Sequence, residues 1–408
     1  MKKTILSFVS MVVICAMTLV SCSKSDDAPV AAKVTTAPTA TAGTIEVGSE
    51  TPLVTAGLAE NGTMMYKVLP ANEAKPTTTE GFSDKVPTAS NRAEGTYNVW
   101  FYVKGNSGYT NSAIAGPIAV TLEPAGNVVD LSTLTANYTA QDGDILTGTL
   151  NGETQKYKIT IADGATVTLK NATVNGWDDG GYYAGASSVA WAGITCEGDA
   201  TIILKDGSEN TVKGFYRTYP GIYVPQWKTL VIKGGTAGTG KLTASSNGRG
   251  AGIGGGPDLS CGNIEIQSGF ITAQGGDEAA GIGGGEDRAC GTIKISGGTI
   301  EATAGTGGAG IGSGGSGDND SGCDGITISG GTVTATGGKY SVGIGAGYWS
   351  KAVNVTITDG VTKVTAIKGS EAPNSIGASK RADNGTVTIG GVVTGNITES
   401  PYIYEPGK

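Results

Sequence analysis

The chain has 408 residues, 69 of them Gly, with 6% aromatics, no His and a formal net charge of −8 at pH 7. Lacking His, it lacks the commonest general base and the commonest metal ligand, and an acidic chain without a basic run is a poor nucleic-acid binder. Its length admits two or more domains, and its Gly-rich, low-volume composition suits turn-rich β structure better than a helical enzyme.

At the N-terminus, Lys2 and Lys3 precede the apolar run Ile5 to Val20. That pattern is a signal peptide over residues 1–21, too short for a confident membrane span. It ends in Leu19-Val20-Ser21-Cys22, which resembles the bacterial lipobox. The resemblance implies that Cys22 becomes the acylated end of a lipid-anchored chain. Ser23 to Asp27 is similar to the short acidic stretch that sends some Gram-negative lipoproteins to the cell surface, so an outer-membrane, surface-exposed location is expected. Removing Lys2 and Lys3 takes the charge from −8 to −10. The rest of 22–42 is rich in Ala, Thr, Pro and Lys, a tether with nothing to bury.

From residue 43 to 124 the texture becomes strand-like. Thr51 to Gly57, Thr63 to Leu69, Tyr97 to Lys104 and Ile118 to Leu122 are rich in β-favouring residues, with turn clusters such as Glu60-Asn61-Gly62 between them. These runs predict a small antiparallel sandwich. Gly62 to Val68 and Gly95 to Gly105 also resemble the Ig-like modules repeated in bacterial surface proteins, which implies a spacer or adhesive stalk.

Beyond the linker Glu123 to Asn127, a solenoid is expected over 128–400. Its regular part is punctuated by Gly250 to Gly256, Ala280 to Gly285 and Ala309 to Gly314, whose central residues Ile253, Ile282 and Ile311 recur every 29 residues. After each mark come a polar loop, a Cys and two alternating runs, such as Ile264/Ile266 followed by Phe270 to Ala273. Alternation marks strands with one buried face, and a fixed period without helical patterning marks stacked coils. The fixed spacing of Ile and Cys argues against Gly-rich disorder. Earlier runs such as Ile145 to Leu150 and Ala165 to Leu169 are irregular, as capping coils are. Pro401 and Pro406 are expected to stop strand pairing at the far end.

The fold class is therefore all-β: a small Ig-like sandwich, then a parallel β-helix, right-handed as parallel crossovers are. Three sheets are expected, with Ile253, Ile282 and Ile311 in one buried column and Ile264, Ile293 and Ile326 in another. The repeated Ala-Gly-Ile-Gly-Gly-Gly and Ile-x-Ile-Ser-Gly-Gly-Thr patterns resemble the Gly-rich carbohydrate-binding β-helix proteins of bacterial surfaces, related in fold to pectate lyases. The resemblance implies a polysaccharide or surface glycan as partner.

Cys261, Cys290 and Cys323 each precede a strand Ile by three residues, so they should stack as a buried ladder near the second column. Coil spacing also permits a disulfide between two of them. Three Cys in line cannot surround zinc tetrahedrally. Gly250 to Gly255 fits a dinucleotide-binding fingerprint and Gly235 to Lys241 nearly fits a phosphate loop. No helix pattern follows either, so both read as turn glycines.

Asp318, Asp320 and Asp324 alternate through a Gly-containing loop and are candidate calcium ligands. Asp178-Asp179 is an adjacent acidic pair of the kind glycosidases use. Nine aromatics fall between Gly176 and Lys228, against six from Ser245 to the end. Sugar C–H faces pack on aromatic rings while hydroxyls seek polar neighbours. Trp177, Tyr182, Tyr183, Tyr216 and Tyr219, with Asp178, Asp179 and Arg217, are the candidate ligand-binding set. Rings that plug an irregular end of the solenoid are the competing reading. The expected function is a carbohydrate-binding or adhesin lipoprotein without catalysis. A polysaccharide lyase or glycoside hydrolase and a ligand-free structural surface protein are its rivals.

Overall fold

The computed structural model describes residues 29–42, 45–93, 95–123, 126–177, 190–257, 259–315 and 321–408. Within them the chain is all-β, with one short 3-10 turn at Leu131–Thr133. It divides into two compact units, the first holding the described residues up to 40 with 52–88 and 96–120, the second 121–408 with 41–51 and 89–95.

In the N-terminal region Gly62–Pro70 pairs antiparallel with Gly95–Gly105, inside a four-stranded sheet that also contains Ala115–Glu123 and Ile45–Glu46. Lys33–Thr36 pairs separately with Leu58–Glu60. Val99 to Val103 are all buried, because this central strand is covered on both faces. The run Thr51 to Gly57 forms no strand. It makes only isolated bridges, Pro52 to Thr88 and Val54 to Ala40, since its Pro lacks a ladder donor.

The second unit is a parallel β-solenoid. One face is a nine-stranded sheet of strands only two or three residues long. Along it Ile194, Ile222, Ile253, Ile282, Ile311, Ile344 and Ile376 are direct partners, coil on coil, and all are fully buried. A second column runs Leu230, Ile264, Ile293, Ile326, Val355, Val387, and a third Leu242, Ile271, Ile300, Val333, Val364. Each column lines the hydrophobic interior. The second and third faces are not separate sheets. Strands Cys290–Thr303 and Cys323–Thr336 keep pairing round the corner at Ser296 and Gly330, so both faces belong to one sixteen-stranded sheet.

The geometry explains the Gly marks. Gly254, Gly283, Gly312 and Gly345 follow the buried Ile with φ between 128° and 141°. A Cβ on any of them would run into the carbonyl oxygen of the Gly one coil further on. Backbones meet here at the tightest point of the coil, so the sequence must repeat Ile-Gly.

Cys290 and Cys323 are register partners joined by a disulfide across a Cα separation of 4.5 Å. Cys261 stays a buried thiol and donates to the Gly283 carbonyl at 3.3 Å. The ladder expected from the sequence thus ends in one crosslink and one free thiol. Burial pushes the Cys261 thiol up to about 12. At the first coils, Asp144 accepts from the Tyr138 hydroxyl at 2.6 Å and from the Asn127 amide at 3.0 Å. At the far end Pro401 does not stop pairing. Tyr402–Tyr404 follows it and pairs antiparallel with Lys363–Ile367. Pro401 lies just outside that strand, where its missing N–H is not needed.

Candidate functional site

The short first face sets the shape of everything outside it. Because its strands span two residues, the turns before and after it lie side by side. Ala280 N donates to Gly284 O at 2.9 Å and Ala309 N to Ser313 O at 3.0 Å, closing each bracket. Side chains on these turns therefore share one outer edge, coil after coil. The residue five past the buried Ile is left-handed in four coils: Trp227 (φ 68°), Asp287 (57°), Trp349 (56°) and Arg381 (62°). Left-handed backbone costs a non-Gly residue about 1–2 kcal/mol. The coil stacking that fixes the turns holds it there.

At the C-terminal part of this edge the rings of Tyr340 and Tyr348 lie 5.2 Å apart, and Trp349 packs edge-on to Tyr348 at 6.3 Å. Cations border them. Lys339 Nζ is 4.9 Å from the Tyr340 centroid, Lys380 Nζ 5.5 Å from the same ring, and the Arg381 guanidinium 4.8 Å from Trp349. Such contacts favour both ring and cation. Glu371 bridges Lys339 at 3.1 Å and Lys380 at 3.4 Å. Its hydrogen bond to Lys339 leads the causes that hold the Glu371 carboxyl below its usual range. The Lys339 ammonium is raised, first by its contact with the Tyr340 hydroxyl and then by Glu371.

The cluster stands on fixed backbone. Tyr348 N donates to Gly307 O at 2.8 Å and Tyr340 N to Thr306 O at 3.1 Å. Beneath, the buried hydroxyls of Ser313 and Ser350 meet at 2.8 Å, and Gly347 N donates to Ser313 Oγ at 2.8 Å. The rings are half-buried, while Lys339, Lys380 and Arg381 are exposed. An apolar floor with a charged rim can seat the C–H face of a sugar and hold its polar groups.

Midway along the edge lies an acidic group. Arg249 forks onto Glu286 with Nη1 at 3.1 and 3.0 Å from its two oxygens. Glu278 and Glu286 both titrate above the ordinary range. Burial is the main cause for each. Asp277 and Glu286 add to it at Glu278, while Arg249 opposes it at both.

The residues singled out from sequence fare differently. Trp177 is exposed at 38%, with Lys156 Nζ 4.8 Å above its ring. Arg217 and Tyr219 are half-buried. Tyr216 is a correction: it is fully buried and cannot be an exposed platform. Its turn is closed by Tyr219 N donating to Tyr216 O at 2.9 Å, its ring packs on Tyr219, and Arg249 N of the next coil donates to Arg217 O, covering the turn. Phe215 beside it joins the core, so at this position the packing reading holds. Asp178, Asp179, Tyr182, Tyr183, Asp318, Asp320 and Cys22 lie outside the described residues. Asp324 is exposed.

The sequence reading missed Tyr340, Tyr348 and Trp349, because they belong to an aromatic-poor stretch. It also passed over the adjacent acidic pairs Asp277-Glu278 and Glu286-Asp287. A usable signal was present. Trp227 and Trp349 occupy the same phase, five residues past Ile222 and Ile344.

A family model for a beta helix repeat matches residues 264–286, 293–315 and 326–348. Each match opens at an Ile of the second column and runs through the next Ile-Gly strand, so it covers most of one coil. Together with the coil pairing this makes the second unit a parallel β-helix domain. Comparison with curated proteins and with solved structures finds no match.

Proposed function

We propose that this is a bacterial surface lipoprotein, anchored through Cys22 in the outer membrane, whose β-helix binds a glycan without catalysis. The observation that carries the reading is the ring floor of Tyr340, Tyr348 and Trp349 under a rim of Lys339, Lys380 and Arg381. The β-helix fold fits a carbohydrate-related or surface protein in general. The lipobox-like Leu19 to Cys22 and the acidic Ser23 to Asp27 support the location. On this reading the N-terminal sheet is an Ig-like spacer. Trp177, with Lys156 over its ring, is a second sugar contact near the other end.

The test is a glycan array probed with the full chain and with Trp349→Ala. Glycans retained by the parent and lost by the variant support the reading. A blank array favours a ligand-free structural protein. A second reading, a polysaccharide hydrolase or lyase, draws on Glu278 and Glu286, whose raised carboxyls are what an acid catalyst needs. Release of reducing or unsaturated sugars from a polysaccharide panel, abolished by Glu278→Gln, would establish it.

A further inference from the structure

We propose that the Tyr340–Tyr348–Trp349 edge selects an anionic sugar, a residue bearing carboxylate or sulfate, with Lys380 and Arg381 as its charge partners. This rests on the glycan-binding reading above and narrows it. The edge is locally basic on an acidic molecule. The whole chain carries −8, yet the turns over 339–351 and 371–383 hold Lys339, Lys351, Lys380 and Arg381 against only Glu371 and Asp383. The cations also stand where an anion would be. A sugar face stacked on the rings would present its substituents outward, toward the exposed Lys380 and Arg381 that border Tyr340 and Trp349.

The two cations suit different tasks. Glu371 ties Lys380 and Lys339 into a partly neutralised group. Arg381 sits on the next coil, its guanidinium against the Trp349 ring. A planar guanidinium held on a ring keeps its forked N–H edge for two oxygens of one carboxylate or sulfate. Backbone order supports the pair. Trp349 N donates to Lys380 O at 3.4 Å and Asp383 N to Ser350 O at 3.1 Å, which ties the two turns together. Both Trp349 and Arg381 occupy the left-handed position of their coils, which fixes ring and guanidinium in neighbouring steps of the same column.

The experiment is calorimetric titration of the full chain with three probes: a hyaluronan hexasaccharide (carboxylate), a heparin hexasaccharide (sulfate) and cellohexaose (neutral). The expected result is that at least one anionic probe binds tenfold or more tighter than cellohexaose, with affinity falling as salt rises. Which anionic probe binds identifies the group. Arg381→Gln should weaken that binding about tenfold, as loss of a charged hydrogen bond does, and weaken any cellohexaose binding by much less. Arg381 is exposed, so the variant should melt with the parent. Trp349→Ala should weaken every probe that binds. Equal affinity for cellohexaose and the anionic probes, insensitive to Arg381→Gln, overturns the inference and leaves glycan binding standing. No heat with any probe overturns the inference, and a blank array beside it overturns the glycan reading as well.

Discussion

Replacing Gly283 by Ala tests the reason offered for the repeated Ile-Gly. The residue sits at φ 128°, a region L side chains avoid, and holding Ala there costs about 1–3 kcal/mol. The added Cβ would meet the Gly312 carbonyl oxygen of the next coil, with Ile293 Cδ1 also only 3.0 Å away. That oxygen accepts the ladder hydrogen bond from Gly284 N at 2.9 Å. Pushing it aside leaves a buried donor and acceptor poorly paired, about 1–3 kcal/mol more. The total is about 2–6 kcal/mol. Gly207 is the matched control, because it too is left-handed, at φ 71°, but a Cβ there meets nothing within 4 Å. Gly207→Ala should cost only about 1–2 kcal/mol. Urea unfolding of both variants, followed by circular dichroism, compares them on one scale. A Gly283→Ala midpoint no lower than that of Gly207→Ala would refute the close-approach argument.

Ile293→Ala should cost about 2–5 kcal/mol by the same assay, since its column neighbours Ile264 and Ile326 are held in register and cannot close the cavity. A loss below 1 kcal/mol would contradict the stacked-column picture. Glu278→Gln should raise the melting temperature at neutral pH. The folded-state pKa of Glu278 lies above its ordinary 4.5, so the fold loses stability as pH rises from about 4.5 through that raised value, and the full cost is present above it. The gain should shrink as pH falls and vanish below about 4.5, where both states are protonated. A gain independent of pH would assign it to packing instead. Cys22→Ala should move the protein out of the membrane fraction. Persistence there after signal cleavage would dispose of the lipid anchor.

Much of this fold can be read from local pattern because a solenoid repeats its tertiary contacts at the sequence period. Ile264, Ile293 and Ile326 are buried partners for the same reason that they alternate with polar residues: each coil places one side inward and pairs with an identical neighbour. The Ile-Gly step is equally legible, since the backbone approach that forbids a Cβ recurs in each regular coil. What lies on the turns follows no such rule. Tyr216 has the Gly- and Pro-flanked neighbourhood of an exposed ring, yet the turn of the next coil closes over it. Cys261, Cys290 and Cys323 share one phase, and only the tertiary structure pairs two of them. Tyr340 and Arg381 are 41 residues apart, in different coils, and both border the Tyr348–Trp349 pair. The period fixes which residues face inward. Turn length and the covering coil decide which outward residues meet, and that depends on contacts distant in sequence.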